Sequence, residues 1–292
     1  MEAEIGVSSY GFSRRGFGSF EIIDKVKKIG FQKIEFSDLP GFDEAEVESR
    51  IEFASQIRRR CEEVGLEVVN YAVNADFLNG DGDLKAEVKR LKREVRVAKK
   101  LGAPRMRHDA TRGFPPDFAG PRGFEDALPT LVKGCRTVSE FAGELGVETM
   151  IENHGFFCQD SERVEKLINS VDHPNFGLLL DVGNFLCVDE EPHRAVGKLA
   201  PYAAHVHIKD FHFKKGIAPN PGEGWFETRG GNYLRGAIVG HGEVPIVQLL
   251  KLLEGSGYEG TLSVEFEGLE EPERGIGLGR DNLIRYLNRL ES

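Results

Sequence analysis

The sequence predicts a closed (β/α)8 barrel of the α/β class, one domain over residues 1–292, and three observations predict it. Short apolar or β-branched runs alternate with longer amphipathic, charge-rich runs from end to end, the rhythm of βαβ units. Eight such short runs can be read, which is the number a barrel needs. The polar residues stand at the C-terminal ends of those runs, where a barrel keeps its active site. No GxGxxG follows the first of them, as an open dinucleotide-binding sheet would require.

Taken in order, the strands are expected over residues 5–9, 33–37, 67–73, 105–109, 148–153, 176–181, 203–209 and 261–267. Helical patterns lie between them over 44–64, 85–101, 124–145, 163–168, 244–253 and 281–290. The first of these places Val47, Ile51, Ala54, Ile57 and Cys61 on one face. Glycines stand where a helix C-cap is wanted, at Gly30, Gly65, Gly102 and Gly146. One segment breaks the rhythm: residues 211–242 hold eight glycines, two prolines and Trp225, the only tryptophan. A loop this long in a compact domain is usually functional. Coming after the seventh strand, it is expected to lie over the barrel mouth as an active-site loop.

The composition is that of a soluble globular protein, with 40% hydrophobic and 29% charged residues. A net charge of −10 argues against nucleic acid as a partner. No apolar run reaches the ~18 residues of a membrane span, and no export signal is read at the N-terminus. Cys61, Cys135, Cys158 and Cys187 are scattered without a CxxC pair. They read as reduced thiols, and the protein as cytoplasmic. Long exposed helices permit a homo-oligomer.

Four successive strands end in a potential metal ligand: Glu152, Asp181, His207 and Glu265. Apolar residues precede each one, so each titratable group lies at the edge of a core. Unpaired carboxylates are expensive there, and three of them converging repel one another. One divalent cation resolves both problems. The oxygen-rich set favours Mn²⁺, with Mg²⁺, Zn²⁺ or Co²⁺ also compatible. Strand alternation turns His154 into the same mouth as Glu152 and places His205 one layer below His207, as a hydrogen-bonded core histidine. His108 fits either a pocket or a local structural role. Glu35 ends an apolar strand and is explained equally well by a salt bridge to a neighbouring strand. Trp225 is either loop packing or an apolar wall for a ligand, and His241 either a lid residue or a plain turn.

The runs ENH at 152–154, DVGN at 181–184, HVHIKD at 205–210, GHGEVP at 240–245 and GYEGTLSVEFEG at 257–268 resemble the xylose isomerase-like TIM barrel superfamily. Within it the chain resembles the sugar phosphate isomerase/epimerase group. The resemblance implies that Glu152, Asp181, His207 and Glu265 hold one metal ion. It also implies that Glu152 and Glu265 move protons on opposite sides of a small keto sugar or polyol derivative. Two departures stand out. Ketose 3-epimerases carry a histidine three positions past the metal aspartate, where this chain has Asn184, and an arginine six past the metal histidine, where it has Phe213. Lys209, His212 or the long loop is then left to grip the substrate. Three activities follow. The first is a metal-dependent isomerase or epimerase working through an enediolate, and the second a dehydratase or lyase on a keto-inositol-like substrate. The third, more remote, is a DNA-repair endonuclease of the endonuclease IV type. That last chemistry needs more histidines than Asn184 and the 235–242 stretch provide.

Overall fold

The computed structural model describes residues 3–44, 49–79 and 83–290. Seven parallel strands, β1 (Glu4–Ser8), β2 (Lys33–Ser37), β3 (Glu67–Val73), β4 (Arg105–His108), β5 (Glu148–Glu152), β6 (Phe176–Asp181) and β7 (Ala203–Ile208), pair in sequence order. An insertion then supplies β8 (Asp210–Lys214), β9 (Phe226–Glu227) and β10 (Tyr233–Ala237). After it, β11 (Thr261–Val264) pairs with both β7 and β1 and closes the barrel. Every predicted barrel strand is present. The runs 105–109, 148–153, 203–209 and 261–267 end earlier than expected, at His108, Glu152, Ile208 and Val264.

The outer ring is α1 (Tyr10–Ser13), α2 (Ser19–Ile29), α3 (Arg50–Val64), α4 (Leu84–Leu101), α5 (Phe124–Glu144), α6 (Ser161–Val171), α7 (Pro192–Leu199), α8 (Ile246–Gly255) and α9 (Pro272–Leu290). The helix expected from residue 44 starts at Arg50, because Ser49 caps it by accepting the Glu52 amide. Its buried face is Phe53, Ala54, Ile57 and Cys61, whereas Ile51 is exposed. Val47, assigned to that face from the sequence, lies outside the described residues. Helices α2 and α7 have no counterpart among the predicted elements, and α9 begins nine residues before its predicted start at 281. Gly30, Gly65 and Gly102 end α2, α3 and α4 in the left-handed conformation.

Alternation along the strands sorts the interior into two zones. Met106, Leu178, Leu180 and Val206 point outwards and are sealed under the helices, each contributing roughly 1.5–3 kcal/mol by burial. The opposite parity points into the barrel and is unusually polar: Glu35, Asn70, Arg107, His205, His207 and Ser263 are all buried there. All four cysteines are buried and unpaired. No described helix is long and apolar enough to cross a membrane.

The expected long loop contains a small antiparallel sheet in the order β8–β10–β9. Phe211 and Leu234 pack on Cys187, in a 3-10 helix that follows β6 (Asn184–Val188). Asp189 accepts the Thr228 hydroxyl at 2.7 Å and the Asn232 amide group at 2.7 Å. Gly236 lies against the Glu267 backbone, with no room for a Cβ. The insertion is therefore fixed to the segments following β6 and β11, at one side of the mouth.

Candidate metal centre

Glu152 is the last residue of β5, Asp181 the last of β6, His207 the penultimate residue of β7, and Glu265 follows β11 directly. One ligand atom from each lies within 4.8 Å of all the others, and all four side chains are buried. His207 is central. Its Nδ1 lies 3.4 Å from Glu265 Oε2, 3.7 Å from Asp181 Oδ2 and 3.9 Å from Glu152 Oε1.

Each ligand is aimed by its other polar atom. Asp181 Oδ1 accepts the amides of Gly183 and Asn184 at 2.8 and 2.9 Å, which ties it to the start of the following 3-10 helix and leaves Oδ2 to the centre. The main chain of Asp181 is clamped by Asn153, whose amide group donates to its carbonyl and accepts its N–H, both at 2.8 Å. Gly183 is required by close approach, since a Cβ there would fall 2.9 Å from the Lys209 carbonyl oxygen. Glu265 Oε1 accepts the Ser8 hydroxyl at 3.2 Å. Glu152 accepts the Asn184 amide on Oε1 at 3.0 Å and faces Arg107 with Oε2 at 2.6 Å.

His207 is aimed from across the barrel. Its Nε2 lies 2.9 Å from both carboxylate oxygens of Glu35, on β2. Glu35 also accepts the Asn70 amide at 2.9 Å and lies 3.2 Å from His205 Nε2. Nε2–H donation to Glu35 leaves the Nδ1 lone pair for the centre. His205, one layer below as predicted, also meets the Ser263 hydroxyl at 2.9 Å.

The donors fit a divalent cation. Metal–ligand bonds of ~2.0–2.3 Å to oxygen and imidazole place neighbouring ligand atoms ~3–4.5 Å apart, the spacing found. Among the described residues, His207 Nδ1 is a buried atom without a hydrogen-bond partner, and the inward oxygen of Asp181, Oδ2, meets only the Lys209 ammonium beside it. Lys209 shares the site, with Nζ 2.6 Å from Glu265 Oε2, 2.8 Å from Glu267 Oε1 and 3.0 Å from Asp181 Oδ2. The two glutamates differ electrostatically. Burial pushes the Glu152 carboxyl up, against the pull of Arg107 and His207. For Glu265 burial acts the same way, but Lys209 and His207 outweigh it and hold the carboxyl well below its usual range.

A cavity of about 330 Å³ opens above these residues. Glu152, His207, Glu265, His154 and Lys209 line it, and Asn184 reaches it indirectly through Glu152 and Lys209. His154 accompanies Asp109, 2.9 Å from its Nδ1. Besides Asn184, four expected substrate contacts are not among the lining residues. His108 has the outward parity and is fully buried between Phe77 and Phe176. His212 lies on β8 opposite Arg235. Trp225 lies against the cations of Lys214 and Arg235 within the insertion. His241 is exposed in a turn, its amide donating to the Ile238 carbonyl. No residue of 211–242 is among those lining the cavity.

Glu35, Arg107, Glu267 and Tyr10 line the cavity without having been singled out as site residues. Glu35 bonds to the far strand β7 rather than solely to a neighbour. The signal was present. Inward parity applied to β2–β4 picks out Glu35, Asn70 and Arg107 as polar residues amid apolar ones, and turns His108 outwards.

The family model of the xylose isomerase-like TIM barrel matches residues 23–286. An inosose dehydratase of Clostridium perfringens is 28% identical over 146 residues, 49% of this chain and 48% of that protein. The chain thus spans about half the length of the curated relatives it matches. An L-ribulose 3-epimerase structure aligns over 98% of this chain and 95% of its own, with TM-score 0.73 and 17% identity. A xylose isomerase-like TIM barrel protein from Mycobacterium smegmatis, solved in complex with magnesium, aligns over 98% and 96%, with TM-score 0.72 and 16% identity. At such identities the structural likeness speaks for the fold alone.

Proposed function

Because the chain belongs to the xylose isomerase-like TIM barrel family, we propose that it is a divalent-metal-dependent isomerase or epimerase of a small keto sugar or polyol derivative, acting by proton transfer through an enediolate. The observation that carries this reading is the convergence of Glu152, Asp181, His207 and Glu265 on one buried point, with the two glutamates held in opposite protonation tendencies.

A divalent cation at this point supplies Lewis-acid polarisation of a carbonyl and an adjacent hydroxyl oxygen. Mn²⁺ is the favoured ion for the oxygen-rich set, with Mg²⁺ next. Asp181 and His207 serve as holders, since their remaining polar atoms are committed to the backbone and to Glu35. Glu265, kept ionised by Lys209, is the base that removes the proton from the carbon next to the carbonyl. Glu152, whose proton affinity burial raises, returns a proton from the other side. A pair of carboxyl groups with separated proton affinities is what such an exchange requires. Lys209 and His154 offer N–H donors to substrate hydroxyls at the cavity wall.

A second reading is a dehydratase on a keto-inositol-like substrate. It is favoured by the matches to inosose dehydratases and by the Lys209 ammonium 2.6 Å from the proposed base, where it can protonate a departing hydroxide. Both readings share the first step. Metal-loaded protein in deuterium oxide should wash deuterium into the activated carbon of at least one member of a panel of keto sugars and keto-inositols. Formation of an ultraviolet-absorbing conjugated ketone then selects the dehydratase. If metal binds stoichiometrically and no panel member exchanges, proton abstraction is the wrong chemistry.

A further inference from the structure

Lys209 has more partners than its ammonium has protons. Its Nζ lies 2.6 Å from Glu265 Oε2, 2.8 Å from Glu267 Oε1 and 3.0 Å from Asp181 Oδ2, and it donates to Asn184 Oδ1 at 3.1 Å. An ammonium carries three N–H donors, so four acceptors compete for them. Two of the four belong to Asp181 and Glu265, which are candidate metal ligands. The other two, on Glu267 and Asn184, are not.

A divalent cation and the ammonium repel each other when both are drawn to the same two oxygens. Lys209 is buried and follows β7 with the inward parity of His207, so its charge stays in the centre. It has to be held there by groups that the divalent cation does not use. Asn184 is neutral, and its amide group is committed to Glu152 Oε1. Glu267 brings the opposite charge.

Three observations single Glu267 out. Lys209 is the one hydrogen-bond or ion-pair partner of its carboxylate among the described residues. The Glu267 side chain is 23% exposed at the cavity wall, whereas Asp181 is fully buried, so its pull on the ammonium is outwards. The main chain beneath it is fixed on two sides. Arg14 donates to its carbonyl at 2.9 Å. Gly236 of the insertion packs on the same peptide so closely that a Cβ would fall 2.4 Å from the carbonyl carbon.

We propose that Glu267 is a positioning residue: it holds the Lys209 ammonium at the cavity wall, off the oxygens that Asp181 and Glu265 give to the metal, so that both cations fit in one centre. The proposal rests on the metal-dependent reading above and deepens it, by assigning the group that keeps Lys209 available to a substrate oxygen.

The test is the Mn²⁺ Kd of the full chain, measured by competition with a fluorescent chelator. It is compared among the parent, Glu267→Gln and Glu267→Asp, and Glu267→Gln is repeated in a Lys209→Met background. Without its own counter-charge the ammonium falls back on Asp181 and Glu265. Glu267→Gln should therefore raise the Kd about tenfold or more, the scale of a lost outer partner, and Glu267→Asp, which keeps the charge, should recover most of the loss. With no ammonium to place, Glu267→Gln should change the Kd of Lys209→Met by less than about twofold, as the double-mutant cycle requires. Lys209→Gln takes the place of Lys209→Met if the apolar side chain prevents a cooperative melt. A Kd within about twofold of the parent in Glu267→Gln, an aspartate variant no tighter than the glutamine one, or an equal loss in both backgrounds overturns the role. Stoichiometric Mn²⁺ binding by the parent with no effect of Glu267 removes the positioning role alone. A parent that binds no Mn²⁺ removes the metal-dependent reading and this role with it.

Discussion

Glu35→Gln is the substitution that probes the proposed metal centre without replacing any of its four candidate ligands. Glu35 is fully buried, and both of its oxygens lie 2.9 Å from His207 Nε2. Glutamine keeps the volume but removes the negative charge. It also brings an amide N–H₂ among groups that are already donors, namely Asn70 Nδ2 and His205 Nε2. If that amide turns instead towards His207 Nε2, the ring proton is driven to Nδ1, the atom facing the three carboxylates. Losing such an outer partner typically weakens metal binding ~10–100-fold, or about 1.4–2.7 kcal/mol. We therefore expect the Mn²⁺ Kd, measured by competition with a fluorescent chelator at neutral pH, to rise by that factor. Circular dichroism should still report a folded barrel, with stability reduced by about 1–3 kcal/mol for the imperfectly satisfied amide. A Kd within about twofold of the parent, in a protein that melts cooperatively, would refute the assignment of Glu35 as the residue that fixes the His207 ring.

Four further outcomes are expected. Glu265→Gln should leave metal binding within reach of saturation but lower the rate of substrate deuterium exchange by about 10²–10⁴-fold; full activity would remove it as the base. Chelation with EDTA should abolish exchange and Mn²⁺ or Mg²⁺ should restore it, as followed by proton NMR. Asp210 accepts amides from Gly240, Gly242 and Val244 at 2.8–3.0 Å, so Asp210→Ala should cost about 2–4 kcal/mol in urea unfolding by leaving them unsatisfied. Burial pulls the His108 imidazole down to about 4. The folded form thus holds it neutral while the unfolded chain takes up a proton from about pH 6.5 downwards. Stability should fall by roughly 3 kcal/mol as pH drops through that window and level off below it, and His108→Phe should flatten the slope.

The barrel was legible because its strands carry an apolar, β-branched signal that does not depend on distant partners. The convergence of Glu152, Asp181, His207 and Glu265 was legible for a related reason: a titratable residue closing an apolar strand stands out along the chain. Helix α7 was not, because eight residues beginning at Pro192 offer too short a periodic pattern. The insertion was read as loop from its glycines. Gly236 serves instead for close packing inside β10, on the Glu267 backbone, and that need is invisible without the neighbour. His108 was ambiguous because a histidine beside Asp109 reads as functional until strand parity is assigned.

The bonds that aim the ligands also bear on how the protein forms. Ser8 reaches Glu265 over 257 residues of sequence, and Glu35 reaches His207 over 172. Contacts of such separation are made only after most of the loop-closure entropy has been overcome. A nascent chain that has not yet emitted β11 lacks Glu265 and the strand that joins β7 to β1. The C-terminal half-barrel carries all four candidate ligands, but Ser8 and Glu35, which aim Glu265 and His207, come from β1 and β2, so tight metal uptake is expected to follow ring closure rather than to template it. Bound metal would then act as a lock on the finished barrel, slowing its unfolding while leaving the rate of its assembly unchanged.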